Sequence, residues 1–149
     1  MTKITVDGVQ ITLTSDQLAE IAKQTRKIKT YKDIKRFEDA CEVLGISSNI
    51  PDFESIDCED SKMHIALFKL KKIVKAINYL SGFKVNWSDE NQRKWYPYFR
   101  LNERFSFVVT YNHWNNTDSV VGSRLCVGSD DEATHLGEEF LDLFEDLLK

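Results

Sequence analysis

Pro97-Tyr98-Phe99-Arg100-Leu101-Asn102-Glu103-Arg104-Phe105-Ser106-Phe107-Val108-Val109-Thr110-Tyr111 is the stretch that decides the fold. Two runs of aromatic and β-branched residues flank Asn102-Glu103. Such residues favour strands, and a two-residue connection joins only antiparallel neighbours. Strands are expected over about 97–101 and 104–113, with Pro97 holding Tyr96 in extended geometry. A third is expected over about 119–127, after the turn Asn115-Asn116-Thr117-Asp118. Short connections make the three strands an antiparallel meander.

Helices are expected on both sides. Upstream, Ala66, Leu70, Ile73, Ile77 and Leu80 form one stripe, so 61–81 reads as a central helix stopped by Gly82. A helix over about 32–44 would turn Ile34, Phe37, Cys41 and Leu44 inward and stop at Gly45. At the start of the chain, alternating residues 4–13 flank Asp7-Gly8, the signature of a tight β-hairpin. Thr14 with Gln17 forms a capping box for a helix carrying Leu18, Ile21, Ala22, Thr25 and Ile28 on one face. Ser88 caps a short turn over Asp89–Lys94. Downstream, Ser129 with Glu132 caps a closing amphipathic helix, with Ala133, Leu136, Phe140, Phe144 and Leu147 inward. The expected fold is α+β in a single domain, 1–149. Its order is N-terminal β-hairpin, three helices, three-stranded antiparallel meander and C-terminal amphipathic helix.

The composition excludes several classes. The chain has 149 residues, 42% of them hydrophobic, enough for one core. No apolar run reaches the ~18 residues that cross a bilayer, and the opening residues lack a signal-peptide pattern. Cys41, Cys58 and Cys126 are an odd set without C-x-x-C spacing, which fits reduced thiols in the cytoplasm. His64, His113 and His135 are far apart, so no metal site is expected. No glycine pattern cradles a phosphate, and no cofactor is expected. The loop carrying Asp52, Glu54, Asp57, Glu59 and Asp60 lacks the order and the central glycine of a calcium loop. Cys126 with His113 and Asp118 lies in an apolar strand, the setting of an inert buried thiol. No catalytic residue is expected.

Charge is segregated along the chain. Residues 38–60 carry 8 acidic and no basic groups, residues 61–104 carry 10 basic and 3 acidic ones, and residues 105–149 carry 2 basic and 9 acidic ones. The net is only −4. Either acidic and basic elements neutralise each other in the fold, or one face meets a charged partner.

Trp95-Tyr96-Pro97-Tyr98-Phe99 and Val121-Gly122-Ser123-Arg124-Leu125-Cys126 carry a resemblance. So do Phe37-Glu38-Asp39-Ala40-Cys41, Leu44-Gly45-Ile46, Asn91-Gln92-Arg93-Lys94-Trp95, Ala133 and the closing 140–148 stretch. In this order the segments resemble a family of small proteins encoded by phages, prophages and mobile elements of gut bacteria. The chain departs from the pattern at Val127 and at Thr134-His135-Leu136. The resemblance implies a phage or mobile-element origin and carries over no catalytic residue.

Two surfaces are candidate partner sites. The first is Trp95, Tyr98, Arg100 and Arg124, from a block in which Arg93, Lys94, Arg100, Arg104 and Arg124 alternate with aromatic residues. Arginine and large aromatics dominate binding hot spots, and basic groups between rings also bind single strands of nucleic acid. The second is Phe68, Lys72, Lys75 and Tyr79, at i, i+4, i+7 and i+11 opposite the apolar stripe of the 61–81 helix, with Lys71 alongside. The function expected is a non-catalytic protein-interaction module in the host cytoplasm. Its partner would be an unknown protein; single-stranded nucleic acid and a structural role in the virion are the alternatives.

Overall fold

The computed structural model describes residues 2–6, 9–25, 27–101, 104–113 and 123–149. In chain order its elements are β1 (Thr2–Val6), β2 (Val9–Leu13), α1 (Ser15–Thr25), α2 (Phe37–Leu44) and α3 (Ser61–Ser81). Then come β3 (Lys94–Arg100), β4 (Ser106–His113), α4 (Asp130–Glu139) and α5 (Leu141–Leu148). Short 3-10 turns stand at Tyr31–Asp33 and Ser123–Leu125. Helix and sheet are mixed, as an α+β chain requires.

α3 organises the core. Its Ala66, Leu70, Ile73, Val74, Ala76 and Ile77 are buried. All but Ala66 join one core cluster with Ile34, Phe37, Ala40 and Cys41 and with Leu136, Phe140 and Phe144. Truncating one of the large aliphatic residues there would cost about 2–5 kcal/mol. Gly82 ends the helix in the left-handed region, φ 73°, with its N–H on the Tyr79 carbonyl. Among the described residues, no helix is long and apolar enough to cross a membrane.

The helix expected over 32–44 is broken. Asp39 is buried, and its carboxylate accepts the N–H groups of Lys35 (2.9 Å) and Arg36 (3.0 Å). Asp33 does the same for Lys29 (2.9 Å) and Thr30 (2.8 Å). Two short acidic side chains take backbone donors, leaving Ile34 and Arg36 extended between a 3-10 turn and α2. The closing helix is likewise interrupted, at Phe140. The break sacrifices little bonding: the Phe140 N–H still reaches the Leu136 carbonyl, and its own carbonyl accepts from Leu143 and Phe144. The Ser129 cap forms as expected, its hydroxyl accepting the Glu132 N–H, while the buried Glu132 carboxylate accepts the Gly128 N–H. Residues 89–94 form a turn leading into β3, with no helix.

β1 pairs antiparallel with β2 from Thr2↔Leu13 to Val6↔Val9. β3 pairs antiparallel with β4, with a register shift between Tyr98 and Phe99. The turns at Asp7-Gly8 and Asn102-Glu103, and residues 114–122, lie outside the described residues. The third strand of the expected meander does not form over its described part. Residues 123–125 wind into the 3-10 turn, burying Leu125, and only Val127 bridges to the sheet. Its partner is Trp95 of β3, with both backbone bonds at 3.0 Å, so the contact is not with β4. The Cys126 carbonyl is held from the other side by the Asn78 amide of α3, at 2.9 Å. The segment is thus tied between helix and sheet.

Alternation along β3 separates two faces. Pro97 and Phe99 face α4 and α5. Phe99 stacks on Phe105 (centroids 5.1 Å), lies tilted against Phe144 (4.6 Å), and meets Phe107 edge-on. α4 comes so close that a Cβ on Gly137 would lie 2.4 Å from the Phe107 ring and 2.9 Å from Pro97. Tyr98 and Arg100 are exposed on the other face.

Candidate functional site

The block of basic and aromatic residues between 83 and 124 divides in two. Under the closing helices Phe105 is buried and Phe99 and Phe107 are partly buried. Lys94 is also inside, 1% exposed, with its ammonium 5.5 Å from the Trp87 ring centroid and donating to the Gln92 carbonyl at 3.2 Å. Trp95 is partly buried against the core. Tyr98, Arg100 and Arg124 are exposed.

The second predicted face also divides. Phe68 packs on Phe37 (centroids 6.2 Å) and Phe53 (6.1 Å), and the Lys72 ammonium lies over its ring at 5.5 Å. The acidic 46–60 loop thereby covers the first half of the stripe through Phe53. Lys75 and Tyr79 remain open, and Tyr79 is 70% exposed.

Lys75 and Tyr79 of the second face and Arg124 of the first line one groove, while Tyr98 and Arg100 are not among its lining residues. The groove, of about 930 Å³, runs along the last turns of α3. Lys71, Val74, Lys75, Asn78 and Tyr79 form one wall, and Phe83, Lys84, Val85 and Trp87 form the other. Arg124 completes the lining. Sequence reasoning groups Arg124 with Tyr98 and Arg100 through an expected third strand; in the structure Arg124 shares the groove lining with Lys75 and Tyr79.

Each wall is fixed from behind. Gly82, in the left-handed region, ends α3, and Phe83, Lys84, Val85 and Trp87 beyond it line the groove together with the helix. The Gln92 side chain clamps this segment: its amide donates to the Lys84 carbonyl at 2.8 Å, and its oxygen accepts the Asn86 N–H at 2.7 Å. Lys94 supports Trp87. Gly128 lies flush against Phe83, where a Cβ would come within 2.8 Å of the ring. The Asn78 bond to the Cys126 carbonyl ties α3 to the chain two residues beyond Arg124. The Asn78 Oδ1 is buried and takes no hydrogen bond from the described residues.

The electrostatics are one-sided. Lys71, Lys75, Lys84 and Arg124 line the groove with no Asp or Glu among the lining residues. None of the four forms an ion pair with a described carboxylate. Four cations that no described carboxylate pairs with focus a positive field in one concavity, in a chain whose net charge is −4.

The other reactive groups are arranged otherwise. Burial pushes the Cys126 thiol up, so the thiolate that nucleophilic chemistry requires is disfavoured. Burial, and then the neighbouring Cys126, push the Tyr96 phenol up as well. Asp118 and the side chain of His113 lie outside the described residues. His64 pairs with Asp57 at 3.1 Å and stacks on Phe53, and its hydrogen bond holds the Asp57 carboxyl below the usual range. Among the described residues, no three His, Cys, Asp or Glu side chains gather where a metal ion could be held. Comparison with known protein families, curated proteins and solved structures finds no match for this chain.

Half of the groove was visible in the sequence. Lys71, Lys75, Tyr79 and Arg124 drew attention by residue type and helical spacing. Phe83, Lys84 and Asn78 did not. The available signal was Gly82, a left-handed stop that ends the helix just before Phe83 and Lys84.

Proposed function

We propose that this protein is a non-catalytic binding module that holds an anionic partner in the groove between α3, residues 83–87 and Arg124. One observation carries this reading: four cations line one concavity without a carboxylate among them. Like charges left together in a fold are a cost unless an opposite charge arrives from outside. The rigid backing of the walls by Gln92, Lys94 and Gly128 supports the same reading, since a preformed site loses less on binding. An origin in a phage or mobile element belongs to this proposal too; it rests on the resemblance of the quoted segments.

Retention on heparin resin tests it. A chain of net charge −4 has no general reason to bind a polyanion, so retention reports a local patch. The wild type is expected to be retained, and Lys71→Glu with Lys75→Glu to elute at markedly lower salt with unchanged circular dichroism. Equal elution by a folded double variant would remove the groove from consideration.

A further inference from the structure

We propose that the occupant of the groove is single-stranded nucleic acid, with phosphates on Lys71, Lys75, Lys84 and Arg124 and unpaired bases against Trp87 and Tyr79. This rests on the reading of the groove as an anion site and adds the class of anion. The added observation is the pair of rings. Tyr79 is 70% exposed and Trp87 is 41% exposed, both in the groove lining beside the lysines. Most other rings of the block are packed: Phe99, Phe105 and Phe107 on one another and on Phe144, and Trp95 against the core. Trp87 and Tyr79 are thus open where stacking partners are needed.

Trp87 is held in advance. The buried Lys94 ammonium sits 5.5 Å from its ring centroid, and Gln92 fixes the chain from 84 to 86. A flat surface presented rigidly between cations suits a ligand that alternates planar rings with phosphates. An acidic peptide supplies the charge without the rings. A duplex keeps its bases stacked on one another and offers the groove only its backbone. The groove volume of about 930 Å³ suits a short stretch of single strand.

The test is fluorescence anisotropy with the full chain and four probes: a labelled 15-nucleotide oligodeoxythymidine, the same sequence as duplex with its complement, inorganic polyphosphate as competitor, and polyglutamate as competitor. The single strand should bind tightest, with affinity falling steeply as salt rises. Trp87→Leu and, separately, Tyr79→Leu should each weaken the single strand about tenfold and leave competition by polyphosphate unchanged. Tyr79 is far out in solvent, so its variant stays informative if Trp87→Leu fails to fold. Lys75→Ala should flatten the dependence of log affinity on log salt by about 0.7. If duplex, polyphosphate or polyglutamate binds as tightly as the single strand, and the ring variants change nothing, nucleic acid is overturned and the anion site stands. If no polyanion binds at all, both readings fall.

Discussion

Aromatic residues stand both under α4 and α5 and in the groove, with basic residues near both in the sequence, yet the two regions are built differently. Phe99 packs against Phe105, Phe107 and Phe144 beneath the closing helices. Trp87 and Tyr79 stand open, with cations that no described carboxylate neutralises. What separates them is what lies opposite. A helix carrying Gly137 comes close against the first; Phe83, Lys84, Val85 and Trp87 line the second with α3 and leave a groove. Ring and charge content alone does not make a binding surface. The topology decides which rings are covered.

Substitutions sharpen this contrast. The largest effect belongs to the side under the closing helices: Phe144→Ala, at a residue 4% exposed, should cost about 3–5 kcal/mol, read as a fall in the denaturant midpoint. A cost below 1 kcal/mol would mean that the ring stack is loose. Gly137→Ala comes next. Its Cβ would collide with Phe107 and Pro97, and overpacking of this kind costs about 1–3 kcal/mol. Unchanged stability would show α4 free to move off the sheet.

A smaller, pH-dependent effect also belongs to the buried side. The His135 Nε2 donates to the Ile34 carbonyl at 2.9 Å, and its ring meets Tyr31 and Phe140 edge-on. Burial pushes its pKa below 6.5, Lys35 adds to the fall, and the Ile34 carbonyl and Glu139 oppose it. The unfolded chain therefore takes up the proton first as pH drops. This contribution is fully present above 6.5 and is lost as pH falls through the lower folded value. Denaturant midpoints at pH 7.5 and 5.5 should differ for the wild type and converge for His135→Gln. Equal pH dependence in both would place the sensitivity elsewhere. Asp52 and Asp57, held down by hydrogen bonds, titrate below 3.8, outside this window. The smallest stability effect is expected in the groove: Tyr79→Leu should stay within about 0.5 kcal/mol of the wild type.

The sequence reading succeeded where one physical signal dominates. α3 begins and ends where its stripe and Gly82 place it, because burial along a long helix outweighs local competition. It failed where short side chains or distant segments intervene. Asp33 and Asp39 accept backbone amides and break an apolar periodicity that continues through them. The strand expected over 119–127 reads as extended by residue type, yet residues 123–125 wind to bury Leu125, and Asn78 captures the next carbonyl. That last contact spans 48 residues, and no local pattern announces it. The groove was half legible for the same reason. Its helix wall follows from spacing, while Arg124 reaches it only through the tertiary path of the chain.

In the proposed function the groove cations serve a partner and not the fold. Thermal melting of Lys75→Glu with Arg124→Glu, alongside its binding to oligodeoxythymidine, separates the two roles. Reversing two like charges that no described carboxylate pairs with should leave the melting temperature within about 2 °C of the wild type, or raise it slightly, while binding is lost. A fall of many degrees would show the cations to be structural, and binding that survives in a folded double variant would place the partner surface elsewhere.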